Sequence, residues 1–202
     1  MSDALDDILS QIPIRALKKP KKLLSHLEVA YTVGVPPLMV VPMTDLLREA
    51  SGHTFHIGTP DPEMRRIASW IFTTLGNERI LMQQIIEALW SRRGREDLKL
   101  VGLLLANIGT RPWEVFFDLI SERSHMSLEV VLEIGEEIAR AGYPVPGDDV
   151  LEKWAKGGKV AHQCSVLLLS LRREGGLPHN LISSAPEGGE LFERIRSRLL
   201  TA

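Results

Sequence analysis

The side chains best suited to chemistry in this sequence are a carboxylate and a tryptophan that share one apolar segment. Asp118 lies among aromatic residues in WEVFFDLI, and Trp113 opens the same segment. Apolar surroundings raise the pKa of a carboxyl group, which makes Asp118 a candidate general base and Trp113 its candidate neighbour. The sequence contains no Gly-rich phosphate loop and no nucleophile signature of the G-x-S-x-G kind. It therefore offers two candidate catalytic residues but no self-sufficient catalytic motif.

The histidines and the single cysteine of the sequence do not indicate a metal site or a reactive thiol. His53 and His56 are three residues apart, but no acidic or cysteine partner stands at metal-ligand spacing. The single cysteine, Cys164, lies in a strongly apolar stretch, where a buried structural thiol is expected, and it has no disulfide partner within the chain. We expect no metal site and no cofactor.

Basic residues occur in clusters, which is the pattern expected of a surface that neutralises phosphates. Lysine runs occur at 18–22 and arginines at 65–66, but the clusters near residues 92–99, 153–159 and 172–173 fit a nucleic-acid surface best. The candidate nucleic-acid contacts are Arg92, Arg93, Arg95, Lys99, Lys153, Trp154, Lys156, Lys159, Arg172 and Arg173. The alternative is that these cations are solvated helix ends and that Trp154 packs against neighbouring side chains.

Overall charge and composition set limits on partners and location. The 202 residues carry a formal net charge of -2, so only a local patch could hold nucleic acid or acidic lipid. The N-terminal residues are acidic where a signal peptide would be basic, and the uncharged stretch 29–44 contains three prolines and a glycine. We therefore expect a cytoplasmic protein without a membrane partner.

The elements that would position these residues are helices. Low aromatic content, apolar residues at helical spacing and the absence of alternating strand patterns predict an all-α fold. Proline and glycine mark many of the boundaries. The predicted helices cover 2–11, 18–33, 44–50, 61–75, 77–93, 96–108, 112–123, 127–142, 149–157, 159–173 and 190–200. Pairs of about 35 to 45 residues predict a HEAT-like antiparallel helix-pair solenoid (an α-α superhelix) in a single domain, with an irregular bundle as the alternative.

Three stretches, taken in order, resemble the HEAT-like DNA glycosylases of the alkylation-repair (AlkD) type. HIGTPDPEMRRIA (56–68) is similar to that family's entry into a helix through Pro and an acidic-x-Arg pair. ALWSRRGREDLKLVGLLL (88–105) resembles its Leu-Trp, spacer, Arg-Glu and apolar-helix pattern. LEKWAKGGKVAHQCSVLLLSLRR (151–173) is similar to its Lys-Trp, spacer, Gln and apolar-helix segment.

The resemblance implies a basic concave surface that holds duplex DNA, and a carboxylate with tryptophans that promotes loss of an alkylated base. It divides the single domain into N-terminal helices (1–54), an alkylation-repair-like core (55–173) and a C-terminal helix with its tail (174–202). The family's Trp-Trp-Asp-x-x-Asp motif is not found: Trp113 and Asp118 can replace one Trp and one Asp, but the second Trp is missing. We therefore expect a DNA-binding relative with weak or no base-excision activity.

Two other functions remain open at the sequence level. One is a protein-interaction scaffold, which a solenoid with near-neutral charge would suit. The other is an active glycosylase acting on alkylated purines through Asp118.

Overall fold

The computed structural model describes residues 3–36, 53–123, 125–173 and 175–201, and within these ranges the protein is all-helical with no β-strand. All-α architecture is thus confirmed for the described part of the chain. The predicted helix at 44–50 lies outside the described residues. The contacts divide the chain into two compact units, Met1–Leu104 and Leu105–Ala202, which are described separately.

The first unit is built around one central helix. Its helices are α1 (Ala4–Gln11), α2 (Ile14–Leu17), α3 (Pro20–Tyr31), α4 (Asp61–Leu75), α5 (Arg79–Arg92) and α6 (Arg95–Asn107), which crosses the boundary between the units. The helix α3 packs against α1, α2, α4 and α5, and its apolar side chains, such as Leu23 and Leu27, are fully buried. Arg66 of α4 ties the first helix to this core by contacting Asp3 and Asp6.

The second unit is also organised around one apolar helix. It contains α7 (Pro112–Ser121), α8 (Leu128–Arg140), α9 (Asp148–Ala155), α10 (Lys159–Leu169), α11 (His179–Ser183) and α12 (Glu190–Thr201). The helix α10 packs against α7, α8, α9 and α12. Gly135 of α8 permits one of these approaches, because a Cβ there would lie 2.8 Å from Leu168 of α10. Burial of the α10 side chains from Cys164 to Leu169 completes the core.

Local sequence signals account for many helix boundaries. Pro20, Pro62 and Pro112 stand in the first turn of their helices, where a missing N–H costs nothing, and Gly76 ends α4 with a positive φ of 55°. Other boundaries differ from prediction. Asp3, which lies inside the predicted helix 2–11, is instead the cap residue of α1 and accepts a hydrogen bond from the Leu5 N–H.

Two short helices and one early ending were not predicted. The single turn α2 and the five-residue α11 lie in segments that the sequence assigned to connections. The helix α10 ends at Leu169, whereas the sequence predicted that it would continue to Arg173. Helices of four or five residues carry too little periodic pattern to be recognised, and they form here because apolar pairs such as Leu181 and Ile182 are buried.

Candidate nucleic-acid interface

Asp97, at the start of α6, is a fully buried carboxylate of the first unit with several hydrogen-bond partners. Its two oxygens accept hydrogen bonds from Arg92 Nε (2.7 Å) and Nη2 (2.6 Å), from the Tyr31 hydroxyl (3.0 Å) and from the Gly94 N–H (3.2 Å). Arg92 also donates to the Leu24 carbonyl (2.8 Å). This Asp97 network joins the ends of α3, α5 and α6.

The electrostatics of the Asp97 network show how its charges are held. Burial alone would lower the pKa of Arg92, but hydrogen bonds and the charge of Asp97 outweigh it and raise that pKa. Burial, together with the Asp97 charge, raises the pKa of Tyr31 well above its ordinary value. Arg92, expected from the sequence to contact phosphate, is therefore committed to an internal carboxylate and is only 20% exposed.

A strap formed by residues 54–59 fixes the junction between α5 and α6. Thr54 donates from its N–H to the Arg93 carbonyl (3.1 Å) and from its hydroxyl to the Arg92 carbonyl (2.6 Å). The Arg95 N–H in turn donates to the Phe55 carbonyl (2.9 Å), and the Phe55 ring covers Gly94 so closely that a Cβ there would lie 2.0 Å from it. The strap holds the backbone on either side of Arg93 in place.

The carboxylate of Glu96 completes the attachment of the strap. Its Oε1 accepts hydrogen bonds from the N–H groups of Ile57 (3.0 Å), Gly58 (2.7 Å) and Thr59 (3.4 Å). His56 Nε2 lies 4.0 Å from the same oxygen. Within the described part of the chain, the buried Oε2 of Glu96 has no hydrogen-bond partner. Glu96 therefore acts as an anchor for three consecutive backbone amides.

The other predicted cations of the first unit have different environments. Lys99 is 18% exposed and forms an ion pair with Asp61 (2.6 Å), and this hydrogen bond is the main reason that the pKa of Asp61 is lowered. Arg95 is partly buried, whereas Arg93 is exposed and adopts a left-handed conformation with φ of 62° at the end of α5. Of the four predicted contacts in this unit, Arg93 is the one that is exposed to solvent.

The second unit carries the densest group of exposed predicted cations. Lys153 in the last turn of α9, Lys156 at its C-terminal cap and Lys159 at the first position of α10 are all exposed. Gly157 and Gly158 form the turn between them, and α10 begins without a side-chain cap and without an acidic residue in its first turn. We name Lys153, Lys156 and Lys159 the lysine turn.

The remaining predicted contacts of the second unit lie elsewhere or face inward. The ring of Trp154 stacks on Phe117 of α7, with centroids 3.4 Å apart, so one face of the indole is covered. Arg172 is 14% exposed and binds Asp148 (2.6 Å) and the Pro146 carbonyl (2.7 Å). Arg173 is exposed, but it follows the C-terminal end of α10, about 16 Å of helix away from the lysine turn.

The two candidate catalytic residues lie on different faces of α7. Trp113 is buried, and its indole N–H donates to the Tyr143 carbonyl (3.3 Å). Asp118 is exposed, while the preceding Phe116 and Phe117 turn into the core. The apolar surroundings that the sequence indicated for Asp118 are therefore absent, because helical rotation separates it from the aromatic residues beside it in sequence. The structure does not bring Asp118 and Trp113 together.

Asp97 and Glu96 are residues of the first unit whose structural roles were not predicted. Both stand in the first turn of α6, where acidic residues are common because the positive end of the helix dipole stabilises their charge. Their residue types therefore did not indicate that they would be buried. The useful signal would have been the run Arg-Arg-Gly-Arg-Glu-Asp, in which opposite charges flank a glycine at a helix junction. Their more distant partners, Tyr31 and the strap, cannot be inferred from local spacing.

Comparison with known proteins gives no relative: no family profile, curated protein or solved structure matches the chain. Among the described residues, no three His, Cys, Asp or Glu side chains are grouped in a way that would hold a metal ion. The helices of those same residues are all too short or too polar to span a bilayer.

Proposed function

We propose that this protein binds duplex DNA through phosphate contacts and has weak or no base-excision activity, and that its helices form a HEAT-like solenoid of the alkylation-repair kind. The observation that carries the proposal is the lysine turn. Three ammonium groups are exposed at one tight helix junction, and none of them forms an ion pair within the described part of the chain. The ordered sequence resemblance over 56–173 supports duplex DNA as the source of the phosphates.

The backbone at the lysine turn suits a phosphate as well as the side chains do. The first N–H groups of a helix have no intrahelical acceptor and carry partial positive charge, so they attract anions. At α10 the cap is Gly158, which offers no competing side-chain oxygen, and Gly157 keeps the approach free of a side chain. Lys156 and Lys159 flank this end of α10. Backbone and side chains thus favour the same ligand.

The lack of a catalytic arrangement supports binding without efficient excision. Base loss from a cationic nucleotide is promoted by a carboxylate close to the sugar, in surroundings that exclude water. Asp118 is exposed on α7 and Trp113 is buried on another face, so the pair provides no such surroundings. The alternative, an active glycosylase that uses Asp118, can be tested directly. Under that alternative, purified protein would release 7-methylguanine from methylated DNA, and Asp118→Asn would abolish the release.

Salt dependence of DNA binding tests the proposal. We expect the affinity of the protein for a duplex oligonucleotide to fall steeply with salt concentration, because each neutralised phosphate releases counterions. Replacing Lys153, Lys156 and Lys159 together by Gln should reduce the slope of log K against log salt by about 2.7, at roughly 0.9 for each of three contacts.

A charge-matched variant provides the control. Arg111, Arg194 and Arg198 are exposed cations of the same unit outside the lysine turn, and replacing them by Gln removes the same formal charge. This variant should retain most of the slope. No binding of the unaltered protein at low salt, a salt-independent signal, or equal slopes for the two variants would contradict the proposal.

A protein-interaction scaffold is the second candidate, because one groove of the first unit suits a peptide. The groove, of about 600 Å³, has Leu24 of α3 and Ala88 of α5 at its apolar part, and Ser25, Glu28, Gln84 and Glu87 among its polar residues. Ala88→Arg would fill the groove. We expect this variant to bind DNA like the unaltered protein if the lysine turn carries the function, and to lose any peptide ligand if the groove does.

A further inference from the structure

We propose that the first unit carries a second binding surface, which docks on an anionic phospholipid membrane. The surface consists of Arg15, Lys18, Lys19, Lys21 and Lys22, which we name the basic elbow because they lie on α2 and around the first turn of α3. All five are exposed. No ion pair involves any of them in the described part of the chain, and the sequence has no acidic residue between Asp7 and Glu28.

Local stability does not account for the lysines at the start of α3. Positive charge at the N-terminal end of a helix is unfavourable, because the helix dipole is positive there. Yet Lys21 and Lys22 occupy the first turn of α3, Lys19 is its cap residue, and no side chain caps this end of the helix. An external anion would offset both the lysine charges and the dipole. The arrangement therefore fits a negatively charged partner better than it fits an isolated helix.

The apolar residues around the basic elbow favour a lipid surface over nucleic acid. Ile14, beside Arg15, is 68% exposed, and Val29 of α3 is 55% exposed. Val29 follows Lys22 by seven residues, so the two lie on the same face of α3 about 10.5 Å apart. Exposed aliphatic side chains next to lysines can enter the headgroup region while the ammonium groups remain at the phosphates.

The types of cation agree with a diffuse charged surface. Four of the five are lysines, which are hydrated point charges on flexible stems and can follow mobile lipid headgroups without a fixed bonding geometry. Clusters of four to eight such residues are typical of proteins attracted to anionic leaflets. The overall charge of -2 does not prevent this, since screening limits the field of the rest of the molecule to roughly 8 to 10 Å. The proposal departs from the sequence-based expectation of no membrane partner, and it concerns surface contact only.

Vesicle sedimentation tests the proposal with the full chain. The unaltered protein should sediment with phosphatidylcholine vesicles that contain phosphatidylserine, should ignore vesicles of phosphatidylcholine alone, and should be released by salt. Replacing Lys18, Lys19, Lys21 and Lys22 by Gln should weaken vesicle binding about fivefold for each charge removed, or several hundredfold in total. Since all four side chains are exposed, circular dichroism should show unchanged helix content.

Two further variants test whether the aliphatic side chains contribute and whether the position of the charges matters. Replacing Ile14 and Val29 by Ser keeps every charge and should weaken vesicle binding about tenfold, through loss of aliphatic burial. Replacing Arg111, Arg173, Arg194 and Arg198 by Gln removes the same formal charge from exposed positions of the second unit that lie outside the lysine turn. This matched variant should keep its vesicle binding.

Three outcomes would overturn the proposal. The first is equal binding, or no binding, to vesicles with and without phosphatidylserine. The second is an equal loss in the matched variant of the second unit, which would indicate a general effect of net charge. The third is a loss of DNA binding with unchanged vesicle binding when the basic elbow is neutralised, which would make it a nucleic-acid surface. Because the vesicle assay contains no DNA, its result does not depend on the function of the lysine turn.

Discussion

Replacement of Asp97 by Asn is expected to destabilise the protein strongly, although it only replaces one carboxylate oxygen by an amide NH2 group. All four groups that contact the Asp97 carboxylate are donors: Arg92 Nε and Nη2, the Tyr31 hydroxyl and the Gly94 N–H. An amide nitrogen in place of either oxygen would therefore face an Arg92 N–H, which cannot accept, and of the four groups only the Tyr31 hydroxyl has an oxygen able to accept a hydrogen bond. The substitution also leaves the Arg92 charge with Glu28, 3.6 Å away and 60% exposed, as its remaining ion-pair partner.

The size of the effect follows from burial. Removing one partner of a buried ion pair costs about 3 to 5 kcal/mol, and the partial exposure of Arg92 places the expected loss near the lower end, at about 3 kcal/mol. Asp6→Asn is the matched control, because Asp6 also contacts an arginine (Arg66, 2.7 Å) but is 64% exposed, so its loss of stability should be small beside that of Asp97→Asn.

Urea denaturation followed by circular dichroism measures the difference. The midpoint for Asp97→Asn should lie well below that of the unaltered protein, with a similar slope, while Asp6→Asn stays close to it. A loss of free energy of unfolding for Asp97→Asn no larger than that for Asp6→Asn would refute the role assigned to the Asp97 network.

Three further predictions concern Tyr31, Cys164 and Gly94. Because burial keeps Tyr31 protonated in the folded state while an unfolded tyrosine ionises near pH 10, the stability due to Tyr31 is present below about pH 10 and is lost as pH rises through the higher folded pKa. Tyr31→Phe should remove that part of the alkaline loss of stability measured by urea denaturation, and an unchanged alkaline loss would contradict the buried position of Tyr31. Burial raises the pKa of Cys164 to about 12, so Ellman's reagent should react only as the protein unfolds, and rapid labelling at neutral pH under native conditions would disprove the buried position. Gly94→Ala should cost about 1 to 3 kcal/mol because the new Cβ meets the Phe55 ring; the cost should shrink in a Phe55→Leu background, and an equal cost in both would show that the ring is not the obstacle.

Much of the helical pattern was predictable because its signals are local. Proline at the start of α4, glycine at its end and the apolar spacing within it each act within a few residues. The short α2 and α11 escaped prediction because their formation depends on burial against other helices. The end of α5 was also not predictable in detail. Arg93 adopts the left-handed conformation that ends this helix, although glycine is the usual residue in that conformation and Gly94 is adjacent.

The candidate site was less predictable because its residues are defined by distant partners. Arg92 and Arg93 are neighbours of the same type, yet one enters the core and the other faces solvent. What distinguishes them is the position of Leu24 and Tyr31, which lie 68 and 61 residues before Arg92 in the chain. Lys99 is similar, because its partner Asp61 is 38 residues away. Counting clustered cations in the sequence therefore gives more candidate phosphate contacts than the structure exposes to solvent. The three side chains of the lysine turn are exposed.

The Asp97 network also bears on how the chain chooses among alternative helix packings. Aliphatic faces such as that of α3 tolerate a shift by one helical turn, because one leucine can replace another in the contact. A buried carboxylate does not tolerate such a shift: if α3 docked one turn out of place, Tyr31 and the Leu24 carbonyl would miss their partners, and Asp97 and Arg92 would lose bonds that stabilise their charges. The network therefore selects a single register for α3, and weakening it should favour misdocked, partly ordered forms of the first unit over a uniformly loosened native state.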